Sequence, residues 1–385
     1  MLSILAGGLL AAGGLVLAIL LVLSAQLQDG ETGIGEIVLP QAVAVGVLGA
    51  CLGLILIAEG IRKRRSIRPA PFYPRRFGWL WLAFALLLVA GTVASLLGPP
   101  PLLMAFFHVL TLLLLPVLVL TLVGWGLRGR DGSWSDVGGG LLGGALLGTS
   151  IALVIEAVLA VFLAIGLSAL GLLPQEWLQQ ALQALVTGET PFPTEMEDLA
   201  ERLTPSLILA ALVFVGGLVP LVEEVTKTLG IGLAGFWLRP SPARAFLLGV
   251  ASGAGFAVVE SMLNSIFVGP EWGPWVLGRL AATVMHCTTG GLMGWGWGQW
   301  WAGRQPWRLP LAFVGAATIH SMWNFCVAGV ALLGLTVLTR TDDLVWMGLA
   351  GLLMLTLLGV LFLLACAVTA ALLWASHRLG RSPST

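Results

Sequence analysis

The chain has 385 residues, of which 58% are hydrophobic and only 10% are charged, and its formal net charge is zero. Soluble proteins carry about 25% charged residues, so this composition excludes an ordinary soluble domain and indicates a membrane protein. A neutral chain also gives no reason to expect nucleic acid as a partner. The four cysteines lie inside apolar stretches and are interpreted as reduced, packed thiols rather than a disulfide framework.

Apolar stretches long enough to cross a bilayer, which takes roughly 20 residues, recur along the whole chain. The first stretch lacks the basic segment of a signal peptide, so we interpret it as a retained span. The sequence therefore predicts an all-α, multi-pass protein of the cell membrane. Its ten predicted spans are 2–24, 38–60, 77–97, 102–125, 137–171, 205–237, 244–267, 276–302, 309–335 and 344–376.

Charged residues alternate between the loops in a way that predicts the topology. The loop after the second span is strongly basic, and every second loop that follows it has a pair of arginines in it or at its border. The loops on the other side are acidic, at 29–36, 176–201 and 342–343. By the positive-inside rule the basic loops are cytoplasmic, and ten spans then place both termini in the cytoplasm.

The spans fall into regions of different character. Residues 1–171 form five spans, residues 205–335 form a helical core that carries most buried polar groups, and residues 336–385 form the last span and a tail. The intervening outer loop, 172–204, has an apolar stripe that predicts an amphipathic helix resting on the bilayer. That stripe consists of Trp177, Leu178, Ala181, Leu182, Leu185 and Val186.

Five ionisable residues interrupt four of the apolar spans: Glu223, Glu224, Glu260, His286 and His320. A charge in the hydrocarbon costs roughly 3 kcal/mol or more, so such residues usually have a function. Counted from the cytoplasmic ends, they fall within a layer about 8 Å thick, given the helical rise per residue. We therefore expect them to converge on one water-accessible polar site inside the helical bundle.

Neighbouring residues suggest how this cluster is supported. Lys227 follows Glu223 by four positions and Glu224 by three, so we expect its ammonium to pair with a carboxylate. Asn264 shares a helix face with Glu260, and Asn324 shares one with His320. In contrast, we interpret Arg279 as an interfacial residue that snorkels to the membrane surface.

Two backbone features accompany the polar cluster. Gly249 with Gly253, and Gly290 with Gly294, are small-xxx-small pairs, which let transmembrane helices approach closely. Pro220, just before the paired glutamates, is expected to bend its helix and to loosen a backbone hydrogen bond.

The polar residues occur in one order along four successive spans: Glu223-Glu224-x-x-Lys227, then Phe256-x-x-x-Glu260, then His286, then His320-x-x-x-Asn324. This arrangement resembles the PrsW family of intramembrane proteases. That family shares a superfamily with the type II CAAX prenyl endopeptidases, whose pattern is EExxxR, FxxxH and HxxxN. Here Lys replaces Arg and Glu replaces the first His, as in PrsW proteins. The resemblance covers about residues 205–335.

The resemblance implies an endopeptidase that hydrolyses a membrane protein. Glu223 is then the expected base, with Glu224 and Lys227 positioning it, because a buried glutamate can serve as base and then as acid. Glu260 is expected to help hold the water. The substrate is expected to be a transmembrane protein or peptide in the lipid bilayer, such as a single-span anti-sigma-type regulator.

The resemblance also assigns the stabilisation of the tetrahedral oxyanion. His320 and Asn324 are expected to face the oxyanion, because imidazole and amide N–H groups can line such a hole. His286 could serve either the water or the oxyanion. Phe256 and Asn264 are expected to be supporting residues.

Three alternatives stay open. Zinc could activate the water with Glu223, Glu260, His286 and His320 as ligands, although no HExxH motif is present and we favour a reaction without a cofactor. A proton-coupled transporter would also use buried Glu, Lys and His, but such proteins often contain internal repeats, and no convincing repeat is visible. A silent scaffold, like the related gamma-secretase scaffold subunit, would not need three buried carboxylates.

Overall fold

The structure is a computed structural model of the whole chain. It describes residues 2–28, 34–74, 77–98, 100–129, 131–177, 179–180, 183, 204–264, 272–303, 305–338 and 343–381. Within these ranges helices dominate and β-strands are absent, apart from one isolated bridge between Pro71 and Ser133. Most of the stripe predicted to form an amphipathic helix in the outer loop lies outside the described residues.

Twelve α-helices are described. They are α1 (Leu2–Gln28), α2 (Ile34–Arg64), α3 (Gly78–Leu96), α4 (Pro101–Leu127), α5 (Trp134–Leu142), α6 (Thr149–Ala169), α7 (Pro205–Val213), α8 (Val219–Leu238), α9 (Pro242–Leu263), α10 (Trp272–Trp301), α11 (Arg308–Leu338) and α12 (Leu344–Leu379). Two π-helical segments join neighbouring helices: Gly143–Gly148 lies between α5 and α6, and Phe214–Leu218 lies between α7 and α8.

The all-α membrane fold is confirmed. Among the described helices, nine are long and apolar enough to cross a membrane, and each coincides with a predicted span. The remaining predicted span, 276–302, lies in α10, which is 30 residues long but is made less apolar by its glycines, threonines, Arg279 and His286. The cytoplasmic placement of the termini stays a prediction.

The chain divides into two compact units. The first comprises residues 1–149, 226–313 and 368–385, and α9 lies at its centre. This helix packs against α2, α4, α5 and α10, and 83% of its spanning segment is buried, so it faces protein rather than lipid. Its contacts with α10 are between backbones, as the glycine pairs predicted. A Cβ built on Gly253 would lie 2.1 Å from the carbonyl oxygen of His286.

The second unit comprises residues 150–225 and 314–367. It contains most of α6, α7, the π-helical segment Phe214–Leu218, the start of α8, most of α11 and the N-terminal part of α12. Gly216 packs against the ring of Phe325, and Gly329 packs against Leu357. The unit boundary falls within α8, between Val225 and Thr226.

The backbone changes its hydrogen-bonding pattern just before the paired glutamates. The π-helical segment Phe214–Leu218 ends two residues before Pro220, which has no N–H to donate. This position agrees with the expectation that Pro220 loosens the local backbone bonding. π-helical segments inside α-helices are rare and are often found at functional sites.

The close approach of α9 and α10 leads to a stability prediction for a pair of matched variants in α10. A Cβ on Gly290 would lie 2.5 Å from the carbonyl oxygen of Gly249, whereas one on Gly278 would have no neighbour within 4 Å. Gly290→Ala should therefore lower the free energy of unfolding in detergent by about 1–3 kcal/mol. Gly278→Ala should leave it unchanged or raise it by up to about 1 kcal/mol. Equal stability of the two variants would contradict this packing.

Candidate active site

The predicted polar residues fall into two groups, one in each unit. Helix α8 contributes to both, because Glu223 and Glu224 precede the unit boundary, whereas Lys227, about one helical turn after them, follows it. His320 belongs to the second unit with the glutamates, whereas Glu260 and His286 belong to the first unit with the lysine.

In the second unit, His320 lies between two carboxylates. Its Nδ1 is 2.8 Å from Glu224 Oε1, and its Nε2 is 3.5 Å from Glu223 Oε2. All three side chains are buried, and Glu224 is fully inaccessible. The contact with Glu224 fixes the imidazole ring, which directs Nε2 towards Glu223. The unit thus combines a candidate base with a group that is able to exchange a proton or to bind a metal.

Asn324 lies one turn after His320, as expected from the sequence. Its side-chain amide donates a hydrogen bond to the carbonyl oxygen of Val215, with 3.0 Å between the two heavy atoms. Val215 belongs to the π-helical segment. One N–H of Asn324 therefore anchors α11 to this segment, and the amide group has a second N–H that could serve the predicted oxyanion role.

In the first unit, Lys227, His286 and Glu260 form a chain of contacts. Lys227 Nζ lies 3.0 Å from Nδ1 of His286, and Nε2 of the same ring lies 2.7 Å from Glu260 Oε2. A charged ammonium only donates, so Nδ1 accepts and the imidazole carries its hydrogen on Nε2, the nitrogen in contact with Glu260. The predicted pairing of Lys227 with Glu223 or Glu224 stays a prediction.

The interpretation of Arg279 as a snorkelling residue is wrong. Its guanidinium lies 3.1 Å from Glu260 Oε2 and donates to the hydroxyl of Ser261 over 2.9 Å, with only 13% of the side chain exposed. The partly buried carboxylate of Glu260 thus pairs with this cation inside the protein. The sequence did contain a signal, since Arg279 precedes His286 by two helical turns and shares its face. Asn264 contacts Glu260 at 3.2 Å, as predicted.

Aromatic and backbone contacts hold Lys227 in place. Its ammonium lies 5.1 Å from the centroid of the Phe256 ring, and that ring lies 5.5 Å from the ring of His286. The hydroxyl of Ser252 donates to the backbone carbonyl of Lys227, and Gly148 permits close backbone contact from another side. Sequence reasoning identified Phe256 through the resemblance but missed Ser252, because a lone serine in an apolar span carries no distinctive pattern.

The chemistry of these donors suits zinc, which binds imidazole nitrogen and carboxylate oxygen. In the second unit, the contact between Glu224 and Nδ1 of His320 matches the carboxylate–histidine arrangement that orients metal-binding imidazoles. Nε2 of His320 and the carboxylate of Glu223 would then be ligands. In the first unit, metal binding by Nε2 of His286 would replace its contact with Glu260.

Comparison with known proteins identifies one family. A family model described as PrsW family intramembrane metalloprotease matches residues 133–362, which is well over half of the chain. The match begins near the start of α5 and includes all the residues singled out above. No curated protein and no solved structure matches the chain.

The chain has two lysines, and they provide a matched test of the buried network. Lys227 is completely buried, whereas Lys63 is exposed. Lys227→Met should lower the free energy of unfolding by about 3–5 kcal/mol, because loss of one partner leaves buried polar groups uncompensated. Lys63→Met should change it by less than about 0.5 kcal/mol. If Lys227→Met is as stable as Lys63→Met in detergent unfolding, Lys227 does not stabilise this network.

Proposed function

We propose, since the chain belongs to the PrsW family of intramembrane metalloproteases, that it is an endopeptidase that cleaves membrane-embedded protein substrates with a water molecule activated by Glu223. The observation that carries this proposal is the buried group of Glu223, Glu224 and His320. Three ionisable side chains in close contact are costly to bury, and proton transfer in peptide hydrolysis requires such groups.

Glu223 acts as the general base and then as the general acid. Its carboxylate removes a proton from water while the water oxygen forms a bond to the carbonyl carbon of the scissile peptide. The protonated carboxyl then gives this proton to the amide nitrogen as the carbon–nitrogen bond breaks. A carboxyl group shielded from bulk water suits both steps, because its proton is kept for the leaving group.

Glu224 sets the hydrogen-bonding role of His320. If Glu224 is protonated and donates to Nδ1, then Nε2 carries the hydrogen and can donate to the oxyanion. If Glu224 is ionised and accepts from Nδ1, the neutral ring presents a lone pair on Nε2, as a metal ligand must. The first state serves a glutamate-based reaction, with Asn324 as the second oxyanion donor. We favour this state.

The family motif assigns Glu260, in the first unit, to holding the water, and this part of the proposal rests on the motif. His286 orients the carboxylate of Glu260 through the 2.7 Å contact. Arg279 and Asn264 fix the same carboxylate from other directions. Lys227 supplies a positive charge one turn after the paired glutamates and so offsets part of their negative charge.

The alternative is a metal-dependent protease that uses the same residues, and the family description favours it. Of the ligands named from the sequence, Glu223 and His320 lie together in the second unit, and Glu260 and His286 lie together in the first. Zinc, when bound, lowers the pKa of its water and polarises the substrate carbonyl. In this alternative Glu224 holds the imidazole of His320 in the orientation that a ligand needs.

The proposed substrate is a membrane protein with a single transmembrane helix. A single helix is surrounded by lipid and can move to the protease and present its backbone there, whereas a helix inside a bundle is held by its neighbours. The protease itself would act as a multi-pass protein of the cell membrane.

Glu223→Gln should fold like the parent and lose proteolysis, because the amide keeps the shape of the side chain but cannot accept a proton. The expected loss is roughly 10²- to 10⁴-fold. New N-termini of membrane proteins, quantified by labelling and mass spectrometry in cells expressing either form, measure this loss for whichever membrane protein is cleaved. Glu176→Gln, on an exposed residue, is the matched control. Equal product levels from Glu223→Gln and the parent would remove the proposed mechanism.

Asn324→Ala should reduce the turnover number by about 10²-fold, because one oxyanion donor is lost. The Michaelis constant of the substrate identified by its new N-terminus should change little, since the oxyanion exists only in the transition state. A rise in this constant at unchanged turnover would assign Asn324 to substrate binding. A loss of stability without any kinetic change would restrict it to its contact with Val215.

Removal of metal separates the two mechanisms. Activity should survive extensive dialysis against a chelator if Glu223 alone activates water, and elemental analysis of the active protein should find less than stoichiometric zinc. Loss of activity on chelation that zinc restores would instead establish the metal-dependent mechanism. Glu224→Gln then provides a second readout, because it should weaken zinc binding by roughly 10- to 100-fold if Glu224 orients a ligand.

A further inference from the structure

The C-terminal end of α12 presents two different faces. Leu372, Ser376 and Gly380, spaced four residues apart, are buried. They pack against the end of α4, where a Cβ on Gly126 would lie 2.2 Å from the hydroxyl oxygen of Ser376. A Cβ on Gly380 would lie 2.4 Å from the carbonyl oxygen of Gly126. This packing fixes the rotation of α12, and therefore which side chains face outwards.

The outward face is basic and aromatic. Trp374, His377, Arg378 and Arg381 follow one another at intervals of three, one and three residues, and together they line one open pocket. The guanidinium of Arg378 lies 5.0 Å from the centroid of the Trp374 ring. The ring of His377 meets that of Trp125 edge-on at 5.2 Å. The pocket thus combines an aromatic wall with two arginines and a histidine at the end of an apolar helix.

This set of side chains matches a phosphate anion at a membrane surface. Arginine binds phosphate through its planar fork of N–H donors, and tryptophan is enriched at the level of the lipid headgroups. The last carbonyls of α12 would repel an anion. However, the backbone N–H groups of Gly380 and Arg381 already bond to the carbonyls of Ser376 and Arg378, and Arg381 lies beyond the helix end.

We propose that Trp374, His377, Arg378 and Arg381 form a binding site for the phosphate of an anionic phospholipid headgroup. The acyl chains would lie beside the exposed ring of Trp374, on the outward side of the same end of α12. The site belongs to the first unit, which also contains Glu260 and His286. It does not depend on the proposed proteolytic mechanism.

The test uses the full-length protein in a neutral detergent and two charge-matched double variants. Arg378→Gln/Arg381→Gln removes two arginines from the site, and Arg64→Gln/Arg65→Gln removes two exposed arginines elsewhere. Short-chain phosphatidylglycerol, short-chain phosphatidylcholine and sodium phosphate are titrated separately. The shift of the thermal unfolding midpoint with concentration gives an apparent affinity for each. The midpoint without lipid shows whether each variant folds.

The parent should bind phosphatidylglycerol at least 10-fold more tightly than phosphatidylcholine. The site variant should weaken this binding on the order of 30-fold, which corresponds to the usual attraction of two arginines for an anionic surface, and the control should stay within about twofold of the parent. Arg378→Lys/Arg381→Lys, which keeps the charge, should retain most of the affinity.

Three results would overturn the proposal. Equal weakening by both glutamine variants would reduce the effect to diffuse attraction by net positive charge. Equal affinity for phosphatidylglycerol and phosphatidylcholine would exclude selection of an anionic headgroup. Inorganic phosphate that binds as tightly as phosphatidylglycerol would identify a soluble phosphate, rather than a lipid, as the ligand.

Discussion

The burial of ionisable side chains at membrane depth is the constraint on which the rest of this structure depends. A charge there is tolerated only if neighbouring groups compensate it. Each unit meets this requirement around one histidine: Glu224 and Glu223 lie at the two ring nitrogens of His320, and Lys227 and Glu260 lie at those of His286. A ring with two nitrogens connects two groups that would not otherwise compensate each other. Within each unit, the two side chains that flank the ring also become coupled, because the position of the hydrogen on one ring nitrogen determines the role of the other nitrogen.

The helix packing supports those networks. Gly249, Gly253, Gly290 and Gly294 bring the backbones of α9 and α10 together, whereas the other sides of α9 bury large side chains such as Phe246. Lipid provides little hydrophobic drive for helices to associate, so close backbone contact must supply much of the attraction. This packing fixes where Glu260 and His286 lie relative to each other, and a rigid scaffold of this kind is what a preorganised site requires.

Local irregularity accompanies the catalytic candidates. The π-helical segment Phe214–Leu218 precedes Pro220 and the paired glutamates, and Asn324 donates to one of its carbonyls. Inside a membrane a carbonyl that loses its helical partner needs another donor, and Asn324 supplies one. The residue that the family motif associates with the oxyanion thus also secures the irregular backbone, so its two N–H groups link structure and proposed chemistry.

The sequence by itself determined the helices, the family and the identity of the polar cluster. Spans follow from the length of apolar stretches, which the bilayer thickness requires, and contacts within one helix follow from its period, as Asn264 and Glu260 show. The tertiary structure decided which residues of different helices pair. Arg279 turns to Glu260 instead of the membrane surface, Lys227 reaches His286, and Ser252 bonds to the backbone of Lys227. Long, flexible side chains can reach several partners, and the choice depends on helix rotation and depth, which packing sets and sequence spacing does not encode.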